Sequence, residues 1–329
     1  MTVDWTLFAA MRPEVRALRR GLPAGAPVRR TGIGPARAAR TARRDGGGGP
    51  VAVAGIAGGL AAGLRTGDVV VATEVRADGA AATALPCPAA PMIAAALRRR
   101  GHTVHLGPVA TTRRPATGRH RERLAGTGAL AVDTESAAVL AAAADRPTAC
   151  VRVVADPASR PLYRPGTLPR VLAAVRALGP VGPALVEWAA ATTVRRVLLA
   201  ASGPENPAGA GPATLRLIAA EADVLLVLGP GDPADARRLV EAAERAGTPA
   251  HLVGDVGEVD LRWLAGARAV GVTAGASAPP RLVARTVAAL AGLGADDVRE
   301  RAADTEDVRS TVPREVPVRM NARYGGGLS

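Results

Sequence analysis

The chain contains no lysine, so all 42 of its basic residues are arginine. It has one phenylalanine, two tyrosines and three tryptophans in 329 residues. Its cores must therefore be filled by Ala, Val and Leu. Two cysteines, Cys87 and Cys150, lie far apart and form no Cys-x-x-Cys pair. They predict two buried or half-buried thiols in a reducing compartment. His102, His105, His120 and His251 show no metal-ligand spacing, so no metal site is expected. No positively flanked leader opens the chain, and no uncharged apolar run reaches the ~18 residues of a membrane span. The expectation is a cytoplasmic protein, with peripheral contact to an anionic membrane left open. No helix-turn-helix, RNA-binding or zinc-finger signature is present, and aromatics for base stacking are few, so nucleic acid is not an expected partner. The Gly-rich stretch 45–50 lacks the Lys-Ser/Thr of a phosphate loop and reads as a surface loop.

Hydrophobic residues make up 48% of the chain, enough for globular cores, and the length suits two domains. The net charge of +13 is uneven. Residues 1–190 hold 26 Arg and 12 acids, whereas residues 191–329 hold 16 Arg and 17 acids. The lack of Lys and the abundance of Ala, Gly and Pro point to genome-wide compositional bias, which weakens a functional reading of the charge.

Short apolar stretches predict strands at Val51–Ala57, Asp68–Val75, Ala149–Val154, Arg196–Ala200, Val224–Leu228, Ala250–Val253 and Ala269–Thr273. Helical patterns occupy Glu135–Ala144, Leu168–Ala177, Ala213–Ala222, Ala234–Ala246 and Pro280–Ala291. The alternation implies an α/β architecture, most regular after residue 195, where a compact parallel sheet is expected. Leu178–Pro183 and Ala189–Thr193 suggest a boundary near residue 192. The expected division is 1–191, 192–292 and a partly ordered charged tail, 293–329, frayed at Gly325–Gly327.

Three acids sit where chemistry is often done. Glu14 lies near the N-terminus, Glu135 opens a helix after Asp133-Thr134, and Asp156 ends the strand Arg152-Val153-Val154-Ala155. By position alone each could equally be a cap.

Ordered motifs change that weighting. Ala10-Met11-Arg12-Pro13-Glu14, Gly32-Ile33-Gly34, Gly55-Ile56-Ala57-Gly58-Gly59-Leu60 followed by Gly67-Asp68-Val69-Val70, and Asp133-Thr134-Glu135-Ser136 resemble, in order, segments of the purine nucleoside phosphorylase and methylthioadenosine nucleosidase superfamily. Gly55–Leu60, Gly128–Asp133 and Arg152–Arg160 are similar to its hopanoid-associated nucleosidase/phosphorylase branch. The resemblance implies a mixed sheet flanked by helices, a homo-oligomer, and release of adenine from a 5′-substituted adenosine, adenosylhopane. It further implies that Glu135 grips the ribose hydroxyls, Asp156 protonates the purine, and Glu14 orients or deprotonates water. Gly34, Ala57, Gly58, Thr134 and Ser136 would complete the substrate site. A general acid needs a raised pKa, which the apolar strand before Asp156 would favour. Thr134 departs from the usual Met and Ala155 from the usual Ser, and no Phe is placed to stack on adenine. The Arg-containing phosphate loop of the phosphorylases is not evident and Glu14 is present, so hydrolysis is favoured, with phosphate a co-substrate only in the phosphorolytic alternative.

Residues 195–316 resemble the C-terminal third of 4-hydroxy-3-methylbut-2-enyl diphosphate reductase. The resemblance rests on Val270–Pro279, on Ala222–Gly229, and on Glu306–Arg309 with Pro313–Glu315. It implies a smaller three-layer α/β domain. That family holds an iron–sulfur cluster with cysteines. Here the last such position falls near Glu205, and its Ser-Asn segment is replaced by Ala234-Asp235-Ala236, so no cluster and no reductase activity are expected. Thr273, Gly275 and Ser277 form either an anion-binding strand–helix turn or a turn kept for packing. The competing functional reading is a non-catalytic binding or scaffold protein of isoprenoid or hopanoid metabolism.

Overall fold

The structure, a computed structural model, describes residues 4–79, 84–159, 166–200, 212–229, 233–275 and 278–302. The chain begins with β1 (Thr6–Ala9), α1 (Arg12–Arg20), β2 (Val28–Arg30), α2 (Pro35–Arg43), β3 (Val51–Gly59), β4 (Val69–Ala77) and β5 (Ala84–Pro86). There follow α3 (Ala90–Arg98), β6 (Val104–Thr111), α4 (Gly118–Gly126), β7 (Ala131–Asp133), α5 (Ser136–Ala141), β8 (Thr148–Asp156), α6 (Thr167–Ala177) and α7 (Gly182–Ala191). The remainder holds β9 (Arg196–Ala200), α8 (Pro212–Glu221), β10 (Val224–Leu228), α9 (Pro233–Arg245), β11 (Ala250–Val253), β12 (Ala269–Ala274), α10 (Pro280–Ala291) and β13 (Asp297–Arg301).

The first eight strands form one mixed sheet. Strand β8 runs parallel to β3 and antiparallel to β4, and β6 and β7 complete a closed circuit β3–β8–β4–β6–β7. Inner strands covered on both faces have no need of polar alternation, which is why β3 and β8 read as nearly continuous Ala/Val runs. The β3–β8 register slips between Ala57 and Gly58, so that Gly58 stands opposite Asp156. This irregularity turns the end of β8 towards the site described below.

The second sheet is wholly parallel, in the order β11–β10–β12–β9–β13. This is the mixed sheet plus smaller parallel α/β unit that the sequence predicts. Strand β13 was not predicted. Its charged sequence, with no buried position, reads as a tail, yet its backbone pairs with β9. Residues 303–329, including Gly325–Gly327, lie outside the described residues.

The Pro/Gly-rich stretch expected to mark a boundary is a tight turn between α6 and α7, packed against Gly21 after α1. Helix α7 buries Leu185 and Trp188 completely. Thr167–Ala191 is the one described run long and apolar enough to cross a membrane by length and composition, but its α7 half is core. The chain passes to β9 through residues 192–195. One hydrophobic core runs through both sheets, joining Leu97 and Trp188 to Val256, Leu261, Leu264 and Leu290. The seam is tied by Arg99–Asp260 at 3.1 Å.

Candidate active site

A cavity of about 250 Å³ opens where β1, β3 and β8 end. Glu14, Ala57, Gly58, Thr134, Glu135 and Asp156 all line it, with Met11, Ile56, Val132 and Val171 among the apolar neighbours. Parallel strands that end together present their following loops on one side, which gathers residues far apart in sequence.

Glu14 is held by its own helix. Pro13 starts the first turn of α1, and the Glu14 carboxylate reaches back to accept the Met11 N–H at 2.7 Å. Its other oxygen accepts the Ile56 N–H at 2.8 Å. Burial raises the Glu14 pKa, the two N–H groups and Arg152 oppose the rise, and Glu135 adds to it. Gly55 lets Glu14 and Arg152 approach the strand. A Cβ there would lie 2.7 Å from Glu14 Oε1 and 2.6 Å from Arg152 Nη1.

Glu135 Oε1 accepts the Gly34 N–H at 2.7 Å and the Thr134 hydroxyl. Gly34 has φ +98°, a conformation that favours glycine, and its amide is thereby aimed at the carboxylate. Gly34 thus meets Glu135 rather than standing among the residues that line the cavity.

Ser136 requires a correction. It is completely buried, outside the cavity lining, and its hydroxyl accepts Arg152 Nη2–H at 2.7 Å while donating to Asp133. Arg152 in turn pairs with Asp133. Burial works against the Arg152 charge, but Asp133, Cys150, Glu135 and Glu14 together raise its pKa, so it stays cationic beneath the carboxylates. Ser136 therefore braces the floor of the site through Arg152 and Asp133.

The residue that sequence reasoning missed is Arg121. It sits in the basic run Arg119–Arg123, which reads as a solvated face, yet α4 turns Arg121 and Leu124 inward, one helical turn apart. Arg121 Nη1 donates to Asp156 Oδ2 at 2.6 Å, and Nη2 donates to the Asp156 and Gly59 carbonyls at 2.7 and 2.6 Å. The acid expected at the purine is therefore engaged by a guanidinium, where an apolar surrounding was expected.

In the second sheet, Thr273 is buried and its hydroxyl lacks a partner among the described residues. The Gly275 N–H donates to the Leu228 carbonyl at 2.8 Å, so it is spent on the fold and does not face an anion. Ser277 and Glu205 lie outside the described residues. Cys87 and Cys150 are buried, unpaired thiols, both in the core of the first sheet. Burial pushes the Cys150 thiol up to about 11, and Cys87 higher still. With no cysteine in the second sheet, its residues do not fit an iron–sulfur cluster.

Comparison with known proteins follows this division. Residues 26–179 match the phosphorylase superfamily, and residues 212–291 match the LytB protein family. The two matches fall on separate parts of the chain, one on each sheet. Two solved structures share the fold of the first. One is the Helicobacter pylori methylthioadenosine/S-adenosylhomocysteine nucleosidase variant with 5′-methylthioadenosine in its active site. It is 16% identical, has a TM-score of 0.50, and covers 57% of this chain and 99% of its own. The other, Helicobacter pylori futalosine hydrolase, is also 16% identical with a TM-score of 0.50, covering 57% and 98%. The LytB region is 45% identical over 102 residues to 4-hydroxy-3-methylbut-2-enyl diphosphate reductase 2 of Mycobacterium bovis, covering 31% of each chain. The reductase of Sodalis glossinidius is 41% identical over 102 residues. The chain thus spans about a third of the length of these curated relatives.

Proposed function

We propose that the phosphorylase-superfamily region hydrolyses the N-glycosidic bond of a 5′-substituted adenosine, releasing adenine, with adenosylhopane as the substrate. The observation that carries this reading is the convergence of Glu14, Glu135 and Asp156 on one cavity. In the reaction, the bond between the ribose anomeric carbon and the purine breaks as the Asp156 carboxyl delivers a proton to the leaving base. Glu135 holds the ribose hydroxyls while positive charge develops on the sugar. Water adds to the anomeric carbon and gives its proton to Glu14. The purine approaches Asp156 from beside Arg121, which fixes the carboxyl by one oxygen and by its own carbonyl.

Hydrolysis is favoured over phosphorolysis by charge. Glu14 and Glu135 line the cavity and would repel a phosphate dianion, while the guanidinium in the lining, that of Arg121, is already committed to Asp156 and the Gly59 carbonyl. A second reading, a non-catalytic binding protein, draws on the partners that Glu14 and Asp156 already have within the protein. The LytB region is proposed as a brace for the first sheet, with no reductase chemistry of its own.

The test is chromatography of free adenine from adenosylhopane and from methylthioadenosine, each with and without phosphate. Adenine without phosphate is expected, and Asp156→Asn should abolish it while leaving the circular dichroism spectrum unchanged. Strict phosphate dependence would make the region a phosphorylase. No adenine under any condition would leave the binding reading.

A further inference from the structure

Helix α6 carries its apolar residues on both sides. Ala174, Val175 and Leu178 face the core, whereas Leu168, Pro169, Leu172 and Ala173 face outward. Leu168 is 68% exposed and Leu172 46% exposed, among the few large hydrophobic side chains so placed. Between them Val171 lines the cavity, and across the opening Ile33, also a lining residue, is 57% exposed. Exposed apolar side chains therefore stand beside the mouth of the site on α6 and at Ile33, and a grouped apolar patch marks a contact surface.

A basic groove lies along α1, the helix whose first turn meets the cavity. Arg12, Arg16, Arg19 and Arg30 line a groove between α1 and β2 that has no acid in its lining. Arg12 follows the cavity-lining Met11, and Arg30 lies three residues before the cavity-lining Ile33, so one end of the groove adjoins the cavity. An anionic surface meets both features at once.

We propose that this face docks on a bilayer containing anionic phospholipid. Leu168, Leu172 and Ile33 enter the headgroup–acyl boundary, and Arg12, Arg16, Arg19 and Arg30 pair with lipid phosphates. The mouth of the cavity then opens onto the lipid, so that a nucleoside with a large apolar 5′ substituent reaches Glu135 and Asp156 without crossing water. That consequence rests on the hydrolase reading above, while the docking itself does not.

The test is co-sedimentation of the full chain with phosphatidylcholine vesicles, with and without phosphatidylglycerol, at low and high salt and without substrate. Binding is expected only to the phosphatidylglycerol vesicles and should weaken with salt. The double variant Arg16→Gln/Arg19→Gln should bind roughly thirty-fold more weakly. Leu168→Gln/Leu172→Gln should lose at least about tenfold. Both variants should keep the wild-type unfolding midpoint and any methylthioadenosine turnover measured without lipid. Absent binding by the wild type, equal binding to both vesicle types, or undiminished binding by the variants would overturn the proposal. So would a leucine variant that converts a dimer to a monomer while lipid binding is nil. Failure of adenine release alongside intact vesicle binding would sink the hydrolase reading and leave the docking face standing.

Discussion

Arg121 Nη1 lies 2.6 Å from Asp156 Oδ2, with both side chains almost wholly out of water. The pair joins α4 to the end of β8 across the mouth of the first sheet, and the slip in register at Gly58 makes the approach possible. Two charges so buried are worth little against an apolar pair, but removing one leaves the other uncompensated.

Arg121→Met should therefore destabilise the protein by about 3–5 kcal/mol. Adding Asp156→Asn to the same chain should recover at least about 1 kcal/mol, because the orphaned charge is gone. Urea unfolding of the two single variants and the double variant reads the coupling. Additive losses would show that the pair is not coupled.

Glu14 supplies a pH dependence. Burial raises its folded pKa above the ordinary carboxylate value, so between those values the folded chain holds a proton that the unfolded chain releases. The Glu14 contribution to stability is thus largest in acid and is lost as pH rises through that window. Glu14→Gln should gain on wild type as pH rises, measured by urea midpoints at mildly acid and mildly alkaline pH. If Glu14 takes the proton from water, the acid limb of kcat should lie above the ordinary carboxylate range and vanish in the same variant.

Glu135→Gln keeps an oxygen for the Gly34 N–H but loses the charge that would hold the ribose. Turnover on methylthioadenosine should fall roughly ten- to a hundred-fold. A loss confined to KM would assign Glu135 to ground-state binding, and one shared by kcat would assign it to the transition state.

Gly55→Ala places a methyl group against Glu14 and Arg152, which can move away only by straining their hydrogen bonds to the Ile56 N–H and the Ser136 hydroxyl. A loss of about 1–3 kcal/mol is expected in thermal or urea unfolding. An unchanged midpoint would mean that the packing under the cavity is looser than these distances imply.

Protein purified without oxygen should be colourless and free of stoichiometric iron, by absorbance and metal analysis. One equivalent or more of a bound cluster would reopen the reductase reading of the LytB region.

The α/β class, the long strands β3, β4 and β8 and the acids Glu14, Glu135 and Asp156 could be read from the sequence because each leaves a local mark, whereas β6, interrupted by Gly107-Pro108, could not. Buried inner strands write themselves as Ala/Val runs, and the acids sit in short ordered motifs. The short strands β1, β2 and β7 and the charged strand β13 left no such mark, since three to five residues carry too little periodicity and an edge strand need not be apolar. Tertiary structure alone decided what each polar group meets. It turned Arg121 from a solvated run onto Asp156, moved Ser136 from the ligand to the floor with Arg152, and spent the Gly275 amide on Leu228. Sequence fixes which residues alternate along one element. Contacts between elements 16 or more residues apart depend on how strands and helices pack, and the register slip that sets Gly58 against Asp156 is a property of two strands together.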